Sequence, residues 1–285
     1  MVLNCLPGID RHKLRDTLLR LGFDAANLAS GHHSGEAYAW LLSYLEWTTD
    51  AVRALRGLVS SEDINRLVLT RRYELLLTGS FAGSDQRIAA FKEAQSAVEA
   101  CIRKWGNGEE VFVVVDTNVY LHHRDPVEQL DFAALVARDG APVHVLVPMM
   151  VVDELDNQKN RGKSDPQRRA RDTLKTLERV CGNSTGPGPL QRQAPLMDDV
   201  GWLRGAVTIE IVPDPPAHHR LPIEDDEIVA RTSALQPLAG RPITVINWDR
   251  GMTIRARNAG LSVVQIPDQL QQQPPSSGNR AARGV

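Results

Sequence analysis

The chain has 285 residues, 42% of them hydrophobic, with 33 basic and 35 acidic side chains for a formal charge of −2. This composition supplies one large core or two ordinary ones, and no apolar run approaches the roughly 18 residues of a membrane span. The opening MVLNCLPGIDRHKLRD lacks the basic-then-apolar layout of a secretory signal, and Cys5, Cys101 and Cys181 stand far apart. A soluble cytoplasmic protein with reduced, structural thiols is expected, with neither a CxxC metal knuckle nor a disulfide framework.

In chain order, residues 1–105 read as all-helical. Ala37 to Trp47 is apolar and aromatic; SSEDINRLVLTRRYELLL sets Ile64, Leu67, Val68 and Leu75 near one helical face behind the N-cap candidates Ser60 and Ser61; Arg87 to Trp105 repeats apolar residues at three-and-four spacing. Charged and His residues are scattered over this half, and no catalytic constellation stands out.

Gly106-Asn107-Gly108 breaks the pattern and sets a boundary between a helical N-terminal domain (1–105) and a second domain (110–270). The second domain alternates β-rich runs, at 111–115, 143–147, 207–212, 243–247 and 262–266, with helical stretches at 127–138, 149–156, 166–180, 225–235 and 252–259. Nearly continuous Val and Ile runs suit strands buried on both faces, so an α/β domain with a parallel sheet and helices on both faces is expected. The run VTIEIV alternates and reads as an edge strand. Gly182 to Pro195 reads as a loop and 271–285 as a disordered tail.

Functional groups of open α/β sheets collect at the carboxyl ends of strands. There the sequence is repeatedly acidic: Asp116 follows the first run, Glu154 lies one short helix after the second, Asp225 and Asp226 open a helix, and Asp249 follows the fourth run. Each alone has an ordinary explanation as a cap, a turn or a solvated side chain. Together they are harder to dismiss, because clustered carboxylates repel and persist where a cation sits among them. An all-oxygen set without Cys or paired His suits Mg²⁺ or Mn²⁺, and a hard metal among carboxylates suggests phosphoryl chemistry.

The motifs VVVDTNVYL, VPMMVVDELDNQK, DDEIVARTSAL and INWDRGMTIRARNAGL, in this order, resemble those of the PIN-domain nucleases over roughly Val111 to Pro267. The resemblance implies a parallel sheet flanked by helices, an acidic cluster holding Mg²⁺ or Mn²⁺, and endonucleolytic cleavage of RNA, single-stranded in the first instance. Carried over position by position, the acids are Asp116, Glu154, the Asp225-Asp226 pair with Asp226 favoured, and Asp249. Asn118 matches the Asp-x-Asn opening as a supporting amide. Asn247 departs from the pattern, which has Ser or Thr there, but retains hydrogen-bonding capacity.

After Glu154, the stretch KNRGKSDPQRRARDTLKTLER carries eight basic residues against three acids. Lys159, Arg161 and Lys163 before the helix, with Arg168 and later Arg250, make a candidate phosphate-binding edge. Two rival readings are a haloacid-dehalogenase-like phosphatase, disfavoured because Asp116-Thr117-Asn118 lacks the second Asp, and a non-catalytic RNA-binding or scaffold module. The aromatic N-terminal helices are a candidate homo-oligomer interface.

Overall fold

A computed structural model of the protein describes residues 3–30, 37–69, 84–105, 108–160, 165–182, 186–195, 203–215 and 218–270. In chain order these form α1 (Arg11–Ser30), α2 (Ala37–Leu55), α3 (Ser61–Ile64), a π-type turn (Asn65–Leu69), α4 (Ser84–Trp105), β1 (Val111–Val115), α5 (Thr117–His122), α6 (Phe132–Leu135) and β2 (Val143–Pro148). Then follow α7 (Met149–Lys159), α8 (Asp165–Cys181), β3 (Gly188–Gln191), β4 (Ala194–Pro195), β5 (Leu203–Arg204), β6 (Val207–Val212), α9 (Glu224–Ala239), β7 (Ile243–Asn247), α10 (Arg250–Asn258) and β8 (Ser262–Gln265). By their contacts the residues divide into two compact units. One holds Met1–Glu109, Pro213–Ile243 and Asn258–Leu261; the other holds Glu110–Val212, Thr244–Arg257 and Ser262–Val285.

The second unit is built on a six-stranded sheet of order β3-β6-β2-β1-β7-β8. Strands β1, β2 and β6 run parallel, as do β7 and β8, while β3 is antiparallel to β6. Every residue of β2 and all but the first of β1 are buried, as unbroken Val-rich strands require when helices flank the sheet. Helix α8 packs against α5, α7 and β6 and turns Ala170, Thr173, Thr176 and Leu177 inward, with its Arg and Lys residues outside.

Three local expectations change. The stretch 182–195, expected as a loop, contains β3 and β4. A Cβ on Gly188 would stand 2.2 Å from the Val180 carbonyl oxygen, so glycine there lets the strand pass the end of α8, and Pro189 is tolerated on a bulged edge strand. Because β3 covers β6, the alternating VTIEIV run is internal rather than an edge. In 127–138 the only helix is α6: Asp131 caps it through the Ala134 amide, and Ala137 at φ 52 ends it.

In the first unit α1 packs on α2 and α4 through Leu14, Leu18 and Leu21, and Tyr44, Trp47 and Phe91 are buried in the same core. Ser60 caps α3 by accepting from the Asp63 amide, but the regular helix stops at Ile64, and the rest of the expected helix lies partly outside the described residues. Helix α9 packs on α4. It ends at Gly240, whose φ of 66 suits glycine, where the Arg11 guanidinium donates to the Leu238 and Ala239 carbonyls.

The largest fully buried side chain among the described residues is Arg231, on α9. Its Nη1 donates to the Asn4 side-chain oxygen and its Nε lies 3.9 Å from Asp214. Asn4 in turn donates its backbone N–H to Asp63, at 2.7 Å, and Asp63 also holds Arg66. Burial lowers the Arg231 pKa, opposed by Asp214, Glu227 and Asp63. The same burial, with Asp63 second, pushes the Cys5 thiol up to about 12, so Cys5 is an inert core thiol.

Removing one member of a buried ionic network leaves its partners uncompensated. Arg231→Ala is therefore expected to lower unfolding stability by about 3–5 kcal/mol, and Arg231→Lys to recover only part of it for want of the guanidinium fork. Urea-unfolding midpoints of the three proteins check both.

Candidate active site

Strand β1 runs out at Val115 and delivers Asp116 in extended backbone, φ −63 and ψ 146, immediately before α5. The Asp116 amide donates to the Ile246 carbonyl at 2.9 Å, so β1 and β7 end side by side and the polar residues that follow each strand share one edge of the sheet. Asp116 is 3% exposed, and although it occupies the N-cap position its side chain makes no capping hydrogen bond. The ordinary explanation of this acid as a helix cap therefore fails. One turn further on, the hydroxyl pKa of buried Tyr120 is raised by burial first and then by the negative charge of Asp116.

Glu154 sits on α7, the helix that directly follows β2. Its Oε2 accepts a hydrogen bond from the Thr117 hydroxyl. Thr117, which sequence reasoning passed over, thus ties the second acid to the residue next to the first. The sequence signal for it is its place directly after a strand-end Asp, where a hydroxyl is within reach of the following crossover.

Asn247 closes β7 fully buried. Its Oδ1 lies 3.1 Å from the Thr253 hydroxyl, and its Nδ2 has no hydrogen-bond partner, an orphaned donor at the strand end. Asp249 is exposed and employed locally: its Oδ1 accepts from the Met252 amide at 3.0 Å, capping α10.

Asp225 and Asp226 stand half-buried in the first turn of α9, in the first unit, within the acidic run Glu224–Glu227. Glu227 is fully buried and committed to structure, accepting from the Leu221 amide at 2.9 Å and meeting His218 at 2.7 Å. Asn118 is exposed on α5. On the basic side, Lys159 pairs with Asp156, Arg168 lies 3.7 Å from Asp165, and Arg250 is exposed at the start of α10. Arg161 and Lys163 lie outside the described residues.

By donor type the set is suited to a hard divalent cation: buried and half-buried carboxylates with a hydroxyl and an amide, all oxygen ligands. Spatially the fold brings Glu154 against Thr117, the residue that follows Asp116. Among the described residues no three His, Cys, Asp or Glu side chains group closely enough to hold an ion.

A mostly parallel sheet flanked by helices, with acids after adjacent strands, defines an α/β protein of the kind that places its chemistry at strand ends. The model of the PIN domain matches residues 113–266, more than half of the chain, and the chain belongs to that family, whose fold is generally that of metal-dependent nucleases. No curated protein matches it. Among the described residues no helix is long and apolar enough to cross a membrane.

Beside this edge His123 is buried, and burial lowers its pKa below the ordinary 6.5. As pH falls below about 6.5 the unfolded chain takes up the proton first, so this contribution to stability is complete above that value and is lost as pH falls towards the depressed folded-state pKa. His123→Phe is expected to flatten, without abolishing, the fall in urea midpoint between about pH 7.5 and about pH 5.5, since His122 shifts in the same direction.

Proposed function

We propose that the chain is a Mg²⁺- or Mn²⁺-dependent endoribonuclease acting on single-stranded RNA. The observation that carries this reading is the Asp116 carboxylate buried at the end of β1, with Glu154 hydrogen-bonded to Thr117, the residue that follows it. Asp116 and Glu154 would hold the ion. Asp249 and one of Asp225 and Asp226, with Asp226 favoured, are the further acids that the PIN motifs assign. A bound divalent ion polarises a phosphodiester and activates a water for in-line attack. The chain's own part is to orient: Thr117 fixes the Glu154 carboxylate, and the buried Asn247 amide presents a donor at the strand end beside Asp116. Asn118 is a supporting amide. Lys159, Arg161, Lys163, Arg168 and Arg250 position the substrate backbone through phosphate contacts without reading bases. A cytoplasmic location and self-association through the N-terminal helices belong to the same reading.

A second reading is a non-catalytic RNA-binding module. It is favoured by the employment of Asp249 as the α10 cap.

The two separate in one assay. Single-stranded RNA incubated with Mn²⁺ is expected to be cut, with cleavage abolished by chelator and reduced about a hundredfold or more by Asp116→Asn or Glu154→Gln, since even residues that merely support metal ligands cost 10–100-fold. Binding without cutting in every arm would establish the second reading, and cutting that survives both chelator and substitution would mark a contaminant.

Thermal scans address Asp249. Mn²⁺ that binds only the folded form, at roughly 100 times its dissociation constant, adds about 2.7 kcal/mol, or on the order of 5–10 °C. Asparagine caps helices as well as aspartate, so Asp249→Asn is expected to leave the metal-free transition nearly unchanged and to shrink the Mn²⁺ shift. An intact shift would make Asp249 a cap alone.

A further inference from the structure

We infer that the Trp248 indole is a nucleobase platform beside the proposed site, accepting one unstacked base of a single-stranded substrate; this deepens the nuclease reading and rests on it. Trp248 stands between buried Asn247 and capping Asp249 and is itself partly exposed. It is held from three directions. Its ring stacks on that of His123, with centroids 5.9 Å apart and planes at 25°. Its Nε1 donates to the Pro267 carbonyl at 3.4 Å, and its own carbonyl accepts from the Gln265 side-chain amide at 3.1 Å.

The support beneath it is equally fixed. His123 is 4% exposed; its N–H donates to the Val119 carbonyl, and its Nδ1 accepts from the Asp125 amide at 3.0 Å. The Arg124 amide, next along, donates to the Leu270 carbonyl and ties this turn to the segment beyond β8. An aromatic ring immobilised this way loses little further entropy when a second ring is laid on it.

Distance and polarity suit a nucleotide. Only the six residues of α5 separate Asp116 from His123, and the seven steps between them, at 1.5 Å per residue, set their backbones roughly 10 Å apart along the helix. Exposed Arg250 follows two residues after Trp248. A cation, a π-face and a strand-end carboxylate in one stretch are the components that hold a single strand by phosphate and base together. A duplex keeps its bases stacked on one another and offers none to the indole.

The test uses the full chain in chelator, so that binding is read without turnover, with a fluorescein-labelled oligouridylate as probe. Trp248→Leu keeps apolarity but not the π-face, and Trp248→Phe keeps both apolarity and a π-face. Leucine is expected to weaken binding roughly 5- to 150-fold, and phenylalanine far less. An oligouridylate with one abasic nucleotide, walked along its length, should lose affinity for the native protein at one position by a similar factor and lose nothing further with the leucine variant. Duplex RNA should bind the native and leucine proteins alike. Equal affinity of native and leucine proteins for the oligouridylate, or no position sensitive to base removal, overturns the platform while leaving the nuclease reading standing. Absence of binding to any nucleic acid overturns both.

Discussion

A single backbone hydrogen bond, from the Asp116 amide to the Ile246 carbonyl, aligns the ends of β1 and β7. The bond continues, past the end of β1, the pairing that these two neighbouring strands share within the sheet. With it, Asp116 and Asn247 emerge side by side from a hydrophobic sheet. Both are buried, one a carboxylate and the other an amide whose nitrogen has no partner. Burying such groups costs free energy that packing elsewhere in the sheet must offset, and proteins accept that cost mainly at functional edges. Neighbouring groups lean on this alignment: Thr117 reaches Glu154 because α5 starts where Asp116 ends, and Trp248 meets His123 because α5 is six residues long.

The two strand-end aspartates of this edge show that composition underdetermines chemistry. Asp116 and Asp249 each follow a strand and precede a helix, and either would pass as a cap on sequence grounds. Geometry separates them. Asp249 spends an oxygen on the Met252 amide and lies in solvent, whereas Asp116 is sealed in and makes no capping bond. A buried carboxylate at a strand end that is not spent on capping the following helix is the more consequential of the two.

The parts of the fold legible in the sequence were those fixed by neighbours. VFVVV, VHVLV and ITVIN declare buried strands by themselves, and α7 and α8 follow from local periodicity. What stayed hidden depended on distant groups. Gly188 and Pro189 look like loop residues until Val180 and β6 come alongside them, and residues 127–138 look helical until a residue at positive φ stops the chain at Ala137. The site divides the same way. The acids were visible from their places after strands, but the tie from Thr117 to Glu154 spans 37 positions and no spacing rule announces it. Nor does spacing reveal that α9, lying between β6 and β7 in sequence, has its closest company among the N-terminal helices.

That last feature governs how the molecule can be made. The hydrogen bond between Arg231 and Asn4 joins residues 227 positions apart, and Arg11 reaches across a similar interval to the end of α9. A nascent chain leaving the ribosome therefore presents α1, α2 and α4 long before their last partner exists. The first unit must wait, partly assembled, through synthesis of most of the sheet, with the face later covered by α9 open to solvent. An isolated 1–105 fragment would keep that face open permanently, with Asn4 and Arg11 lacking the groups they hold in the whole protein.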